Sequence, residues 1–320
     1  MRVFVAGATG AMGVPLVRRL LAAGHRVTGL TRTPEKRALL GALGAEAAVA
    51  DALDAPALTA ALEAARPDAV VHLLTALPKS GPRRAGDLDA TNRLRVEGTR
   101  NLIDAAVAAG AKRFLAESVV FVYGYGDRST ELLTEESPLP KPAAGLDQTV
   151  AAGLALEQQV LAAARAGRIE GIVLRYGLIY GPTAGSTAFT IENLRRRAMP
   201  IVKPGTAFVS WVHAEDAAEA VVAALVHGRA GEVYNIVDDE PVQWRDFLPA
   251  LAKAAGAPKP WTVPQWVAKL FFPYGARVLA TSLRISNAKA KRELGWKLRY
   301  PTFREGVHAA EADPGGSSAG

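Results

Sequence analysis

Three glycines near the start constrain this chain more than any other feature. Gly7-Ala8-Thr9-Gly10-Ala11-Met12-Gly13 lies between an apolar run, Val3 to Ala6, and an amphipathic stretch, Gly13 to Ala23, that is closed by Gly24. A strand that ends in such a turn and feeds a helix carries bare backbone N–H groups to the positive end of that helix. There they cradle a pyrophosphate. A glycine-rich turn alone is a weak signal; its place between a strand and a helix makes it a strong one.

The same alternation continues downstream. Short apolar runs at His25–Thr31, Ala45–Ala50, Ala69–Leu74, Lys112–Glu117 and Gly171–Leu174 alternate with helical patterns at Pro34–Leu43, Asp54–Ala65, Asp89–Ala109 and Gln148–Ala166. Asp54 reads as an N-cap, with Pro56 in the first turn. Apolar strands alternating with helices predict an α/β fold, a doubly wound parallel sheet of Rossmann type covered on both faces. After Arg175 the pattern loosens, apart from a strand and helix over Val212–Val226 and a strand at Tyr234–Val237. The expected organisation is a dinucleotide-binding domain over 1–175, to which 211–240 returns. A smaller substrate domain is expected from 176–210 and 241–310, with a loose tail at 311–320. Ligands of open α/β folds bind at the C-terminal edge of the sheet, where the small domain is placed.

The length of 320 residues suits about two domains of roughly 150 residues. With no cysteine, disulfides, thiol nucleophiles and thiolate metal sites are excluded. No apolar run approaches the roughly 18 residues of a membrane span, and the start is too short and glycine-broken for a signal peptide. A cytoplasmic protein without membrane contact is expected. The net charge of +7 is matched by the stretch Arg277–Arg304 alone, with eight basic residues and one acid. No nucleic-acid motif accompanies it, so a solvated basic face is expected rather than a nucleic-acid site. No histidine cluster has metal-ligand spacing, and no metal is expected.

The G-x-x-G-x-x-G spacing resembles the short-chain dehydrogenase/reductase superfamily in its extended or atypical, epimerase/dehydratase-like branch. Later segments are similar too: Tyr176–Pro182, Val212–Val221, Tyr234–Pro241 and Ser286–Trp296, so that the resemblance spans about residues 1–307. It implies an NAD(P)-binding domain and a substrate domain for a small molecule. It also implies a homodimer through helices near 91–109 and 148–166. Gly7, Thr9, Gly10, Ala11, Met12 and Gly13 would hold the pyrophosphate. Thr31 and Arg32 would face the adenosine ribose, Asp51 and Ala52 the adenine, and Leu74, Thr75 and Ala76 the coenzyme along its length. Tyr176 and Gly177 would lie by the nicotinamide. For Asp51 a loop cap is the plain alternative. The second strand ends Leu30-Thr31-Arg32, without the acid that binds a free ribose 2′-OH. Arg32, with Lys36 and Arg37 nearby, offers donors for a 2′-phosphate, so NADP is expected over NAD.

The superfamily's hydride chemistry uses a Tyr, a Lys four residues later and a Ser on the fifth strand. Counting back from Glu157 places Thr149 at the Tyr position and Gly153 at the Lys position; Val119 stands at the Ser position. A hydroxyl of Thr is a far weaker acid than a phenol, and Gly carries no charge. The local substitutes are Glu117, Ser118 and Tyr123; against them stand a solvent-facing strand end for Glu117 and a packed aromatic for Tyr123. Arg95 replaces the family's usual Asn and suits an acidic substrate, with Tyr180 and Trp211 as further substrate contacts. His213 is read as a helix-cap residue. The leading expectation is an NAD(P)-dependent oxidoreductase or epimerase-like enzyme on a small carbonyl or hydroxyl compound with a non-standard proton donor. The alternatives are an NADP-binding sensor without turnover, similar to NmrA-like proteins, and a non-redox enzyme using the same pocket.

Overall fold

A seven-stranded, all-parallel sheet organises the computed structural model, which describes residues 1–78, 81–82, 84–141, 143 and 145–309. The predicted tail at 311–320 lies outside the described residues. We number the sheet strands β1 (Arg2–Ala6), β2 (Arg26–Thr31), β3 (Glu46–Val49), β4 (Ala69–His72), β5 (Arg113–Val119), β6 (Glu170–Tyr176) and β7 (Val233–Ile236). Their spatial order is β7-β6-β5-β4-β1-β2-β3. The order reverses between β1 and β4, which makes the crevice beyond their C-terminal ends the ligand site of such a fold.

Six helices cover the two faces: α1 (Gly13–Ala22), α2 (Arg37–Ala42), α3 (Ala55–Ala65), α4 over 89–108, α5 (Gln148–Arg165) and α6 (Ala214–His227). Alternate strand residues serve opposite cores. Val3, Val5, Val71 and Leu115 pack toward α1 and α6, and Phe4, Val70, Phe114 and Ala116 toward α3, α4 and α5. Strands buried on both faces are why the sequence reads as unbroken apolar runs. Asp54 caps α3, accepting from Ala57 N at 3.1 Å.

Three local features depart from the sequence reading. The helix expected at Pro34–Leu43 opens as a 3-10 turn, Pro34–Lys36, before α2. The α4 helix widens to a π turn over Leu94–Gly98, a register shift with no apolar-periodicity signature. Asp127–Leu133 is a strand paired in parallel with Ser282–Ile285, so a segment of the first half is joined to the C-terminal half. Its exposed, polar residues hide it from a search for apolar runs. In that C-terminal half, Trp244–Ala254, Gln265–Phe271 and Pro273–Ala280 are helices. No helix among the described residues is long and apolar enough to cross a membrane.

The basic stretch is largely paired. Arg277, Lys289, Lys291, Arg292 and Arg304 contact Asp147, Glu232, Asp239, Glu293 and Glu240. Asp216 ties the C-terminal segment to α6: its carboxylate accepts from Arg299 N at 2.7 Å and Tyr300 N at 2.9 Å. His213 caps the same helix through Nδ1, which accepts from Glu215 N at 3.2 Å. Burial lowers its pKa to about 4, leaving the ring neutral as an acceptor must be.

The sheet's most consequential polar feature is a buried ion pair. Register pairs Ser118 on β5 with Arg175 on β6, and Arg175 with Asn235 on β7, so their side chains share one face. Arg175 grips Glu157 of α5 with two bonds, Nε to Oε1 at 2.8 Å and Nη2 to Oε2 at 2.7 Å, and Ser118 Oγ donates to Glu157 Oε1 at 2.6 Å. The two charged side chains are 3% and 4% exposed. Removing one partner of such a pair costs about 3–5 kcal/mol, because the other charge stays buried without compensation. Glu157→Gln is expected to lower unfolding free energy by about that amount in urea titration; a loss under about 1 kcal/mol, the value of a surface pair, would contradict this.

Candidate active site

Gly7 follows β1 with φ +98°, and a Cβ there would stand 2.5 Å from Leu73 O, so the turn packs directly on the end of β4. Gly13 is equally tight: its Cβ would lie 2.1 Å from Gly7 O. Gly10 differs, since a Cβ there would meet only Gly7 O, at 3.2 Å. Its other side is open, toward the crevice. Gly10 N bonds Gly7 O at 3.0 Å, whereas the amides of Thr9 and Ala11 donate to no protein group among the described residues. An open glycine face with free amides at the start of a ten-residue helix fits a dinucleotide pyrophosphate.

The flanks are consistent with such a ligand. Arg32, Lys36 and Arg37 are exposed beyond β2, and the Thr31 hydroxyl closes the strand end against Thr33. Ala52 is buried. Asp51 is partly exposed, and its Oδ1 accepts from Leu53 N at 2.9 Å, so the loop-cap role is real and the second oxygen faces outward. Leu74, Thr75 and Ala76 line the exit from β4, where Ala76 N bonds Thr91 Oγ1 at 3.0 Å. His72, neutral with a pKa lowered to about 3 by burial and by Arg95, links β4 to α4 through Thr99 at 3.0 Å.

Thr149 and Gly153, the positions that the count from Glu157 assigns to the superfamily's Tyr and Lys, are both buried. Gly153 is buried, and a Cβ there would lie 2.7 Å from Val122 Cγ1, so Val122 occupies the space a longer side chain needs. Thr149 is buried at the first turn of α5, which Asp147 caps by accepting from Thr149 N at 2.8 Å.

Several sequence-derived site residues belong to the interior instead. Ser118 is bound to Glu157, as described above. The Tyr123 hydroxyl accepts from Arg175 Nη1 at 3.0 Å and shares its proton between Thr134 O and Asn235 Oδ1, both at 2.9 Å. Neither hydroxyl faces the crevice. Tyr176 is buried against α6 with its hydroxyl on Ala217 O at 3.3 Å. Gly177 packs on Ser210, whose oxygen would lie 2.4 Å from a Cβ. Tyr180 and Trp211 are core residues of the small unit: Trp211 stacks on Phe247 with centroids 3.9 Å apart, and Tyr180 meets both rings edge-on. For Tyr123, Tyr176, Tyr180 and Trp211 the burial has one cause. A tyrosine or tryptophan carries mostly apolar surface, and spacing alone does not show which side of a strand it occupies.

Glu117 is the exception. It alternates with Ser118 on β5, so it leaves the Arg175–Glu157 network behind and is partly exposed. Burial raises its carboxyl to about 7, an effect the positive charge of Arg95 opposes. Arg95 itself rides on the π turn of α4 and is 9% exposed. Its Nη1 is buried with no hydrogen-bond partner. Burial lowers the guanidinium pKa, while Glu117, Tyr125 and Tyr274 pull it back up. Tyr125 and Tyr274 join hydroxyls at 2.8 Å, and Thr149 lies within hydrogen-bonding reach of Tyr274. Phe121 stacks on Tyr125 with centroids 5.2 Å apart. Sequence reasoning missed both tyrosines, since Tyr274 arrives from a helix about 125 positions beyond Thr149 and no local pattern joins them.

Comparison with known proteins bears on the family and the fold. The model of the NAD dependent epimerase/dehydratase family matches residues 3–237. A 3-diazoavenalumate denitrifying reductase from a Streptomyces species is 39% identical over 318 residues, covering 96% of this chain and 99% of that protein. A ketoreductase of 4-hydroxy-2-methyl-3-oxo-4-farnesyl-3,4-dihydroquinoline-1-oxide from Stigmatella aurantiaca is 30% identical over 100% of this chain and 98% of its own length. The UDP-glucose 4-epimerase of Thermus thermophilus, solved with NAD, superposes with a TM-score of 0.80 at 24% identity over 98% of both chains, a likeness of fold. The turn, the strand order and the span of these matches together show that the chain belongs to the NAD dependent epimerase/dehydratase family.

Proposed function

We propose that this chain is an NADPH-dependent reductase of small organic carbonyl compounds, with Glu117 as the proton donor in place of the superfamily's tyrosine. The observation that carries the reading is Glu117 itself: a carboxyl at the crevice end of β5, without a hydrogen-bond partner among the described residues, raised to about 7 beside Arg95. Both full-length relatives described above are named as reductases, which supports reduction over epimerisation. A bound nicotinamide coenzyme would supply the hydride. The turn at Gly7–Gly13 would hold its pyrophosphate, and Arg32 would meet the 2′-phosphate that distinguishes NADPH. Glu117, protonated near neutrality, delivers its proton to the carbonyl oxygen, and Arg95 offsets the carboxylate charge that results. General acid catalysis of this kind contributes about 10²–10⁴ in rate.

A second reading is favoured by the burial of Thr149 and Gly153 and the name of the 39% identical relative. Hydride addition to an aryl diazonium carbon expels N₂ and consumes no proton, so that acceptor needs neither phenol nor ammonium. The two readings separate cleanly. For a carbonyl acceptor, Glu117→Gln is expected to lower kcat by about 10²-fold or more. The wild-type kcat falls as pH rises through about 7, since the acid must be protonated, and the variant loses that inflection. For a diazo acceptor, N₂ release persists in the variant without the inflection. NADPH binding without oxidation of the coenzyme by any acceptor of either class would favour the sensor alternative. For the coenzyme, Arg32→Ala is expected to weaken NADPH binding about tenfold in calorimetry and leave NADH unchanged; a wild-type chain that binds NADH as tightly as NADPH contradicts the assignment.

A further inference from the structure

We propose that Arg95 is the anion-binding residue of the substrate site and that the substrates are planar, monoanionic organic carboxylates. The proposal deepens the reductase reading and rests on it for the identity of the cleft. A guanidinium is a five-donor group that is always charged, and burying one without a partner is costly. Every other strongly buried cation of the described sheet region has its acid: Arg175 has Glu157. Arg95 Nη1 has no hydrogen-bond partner among the described residues, although Glu117, Tyr125 and Tyr274 lie close enough for their charges to act on it. A cost of this kind is kept where a ligand relieves it. The π turn that carries Arg95 is a deformation of the sort found at functional sites.

The surroundings narrow the ligand. A guanidinium fork matches a carboxylate with two parallel bonds. The Tyr125–Tyr274 pair uses one hydroxyl proton between its members at 2.8 Å, and Thr149 lies near the second. With Glu117 adjacent, the site is at most singly positive, so a phosphate dianion is disfavoured. The next cation, Arg277, is already paired with Asp147 at 2.7 Å and lies over the Tyr125 ring at 4.4 Å. Phe121, Tyr125 and Tyr274 supply flat aromatic walls, which suit an aromatic or conjugated body.

The test compares cinnamate with its neutral isostere cinnamamide by calorimetry on NADP⁺-saturated protein, with inorganic phosphate as a third probe. Wild-type protein is expected to prefer cinnamate over cinnamamide by roughly 10- to 100-fold, the range of a charged hydrogen bond, and to bind phosphate more weakly than cinnamate. Arg95→Gln removes the preference while the variant keeps the far-ultraviolet circular dichroism spectrum of the wild-type chain. Arg95→Lys keeps the charge without the fork and retains part of the preference; it also serves if the glutamine variant does not fold. Equal binding of acid and amide, a preference that survives Arg95→Gln and Arg95→Lys undiminished, or phosphate bound as tightly as cinnamate would each overturn the proposal. A chain that binds cinnamate through Arg95 yet oxidises no NADPH would defeat the reductase reading and leave this one standing.

Discussion

One buried charge organises the catalytic end of this sheet. Arg175, on a strand covered on both sides, needs a carboxylate, and Glu157 of α5 provides it in a two-bond grip. Further bonds draw in Ser118, Tyr123 and, through Tyr123, the Oδ1 of Asn235. Asn235 Nδ2 is left without a partner among the described residues, so the Arg175–Glu157 grip and its two hydroxyls carry the network. The hydroxyls nearest to the superfamily's catalytic positions are therefore structural, and they hold α5, β5 and β6 in fixed register.

The opposite side of β5 lies outside that network. Strand alternation turns Glu117 away from the network that claims Ser118, and burial without full pairing keeps its proton to about pH 7. On α5, Val122 fills the space above Gly153. Arg95 of α4 brings a buried cation, and Tyr125 and Tyr274, the latter from the Pro273–Ala280 helix, bring a pair of phenols.

How much of this the sequence reveals follows from how local each signal is. The turn at Gly7, β1 to β6 and the capped helix after Asp54 are written in contiguous residues, and the alternation of apolar runs predicts the parallel sheet directly. The count from Glu157 to Thr149 and Gly153 is read from contiguous residues too. The direction of individual side chains is not: Tyr123, Tyr176, Tyr180 and Trp211 read as site residues and pack as core, where an aromatic ring buries the most apolar surface. Arg95 was visible as an unusual residue, but its missing partner is a property of the folded surroundings. Tyr274 carried no signal, since only tertiary packing brings it to Tyr125 and Thr149.

The most direct measurement is a crystal structure of the chain with NADPH bound. The account predicts the pyrophosphate on the amides of Thr9 and Ala11 and the 2′-phosphate at Arg32. It places the nicotinamide ring over the end of β5, with Glu117 and Arg95 facing the same open volume. A coenzyme bound elsewhere, or a nicotinamide ring out of reach of both Glu117 and Arg95, would contradict it.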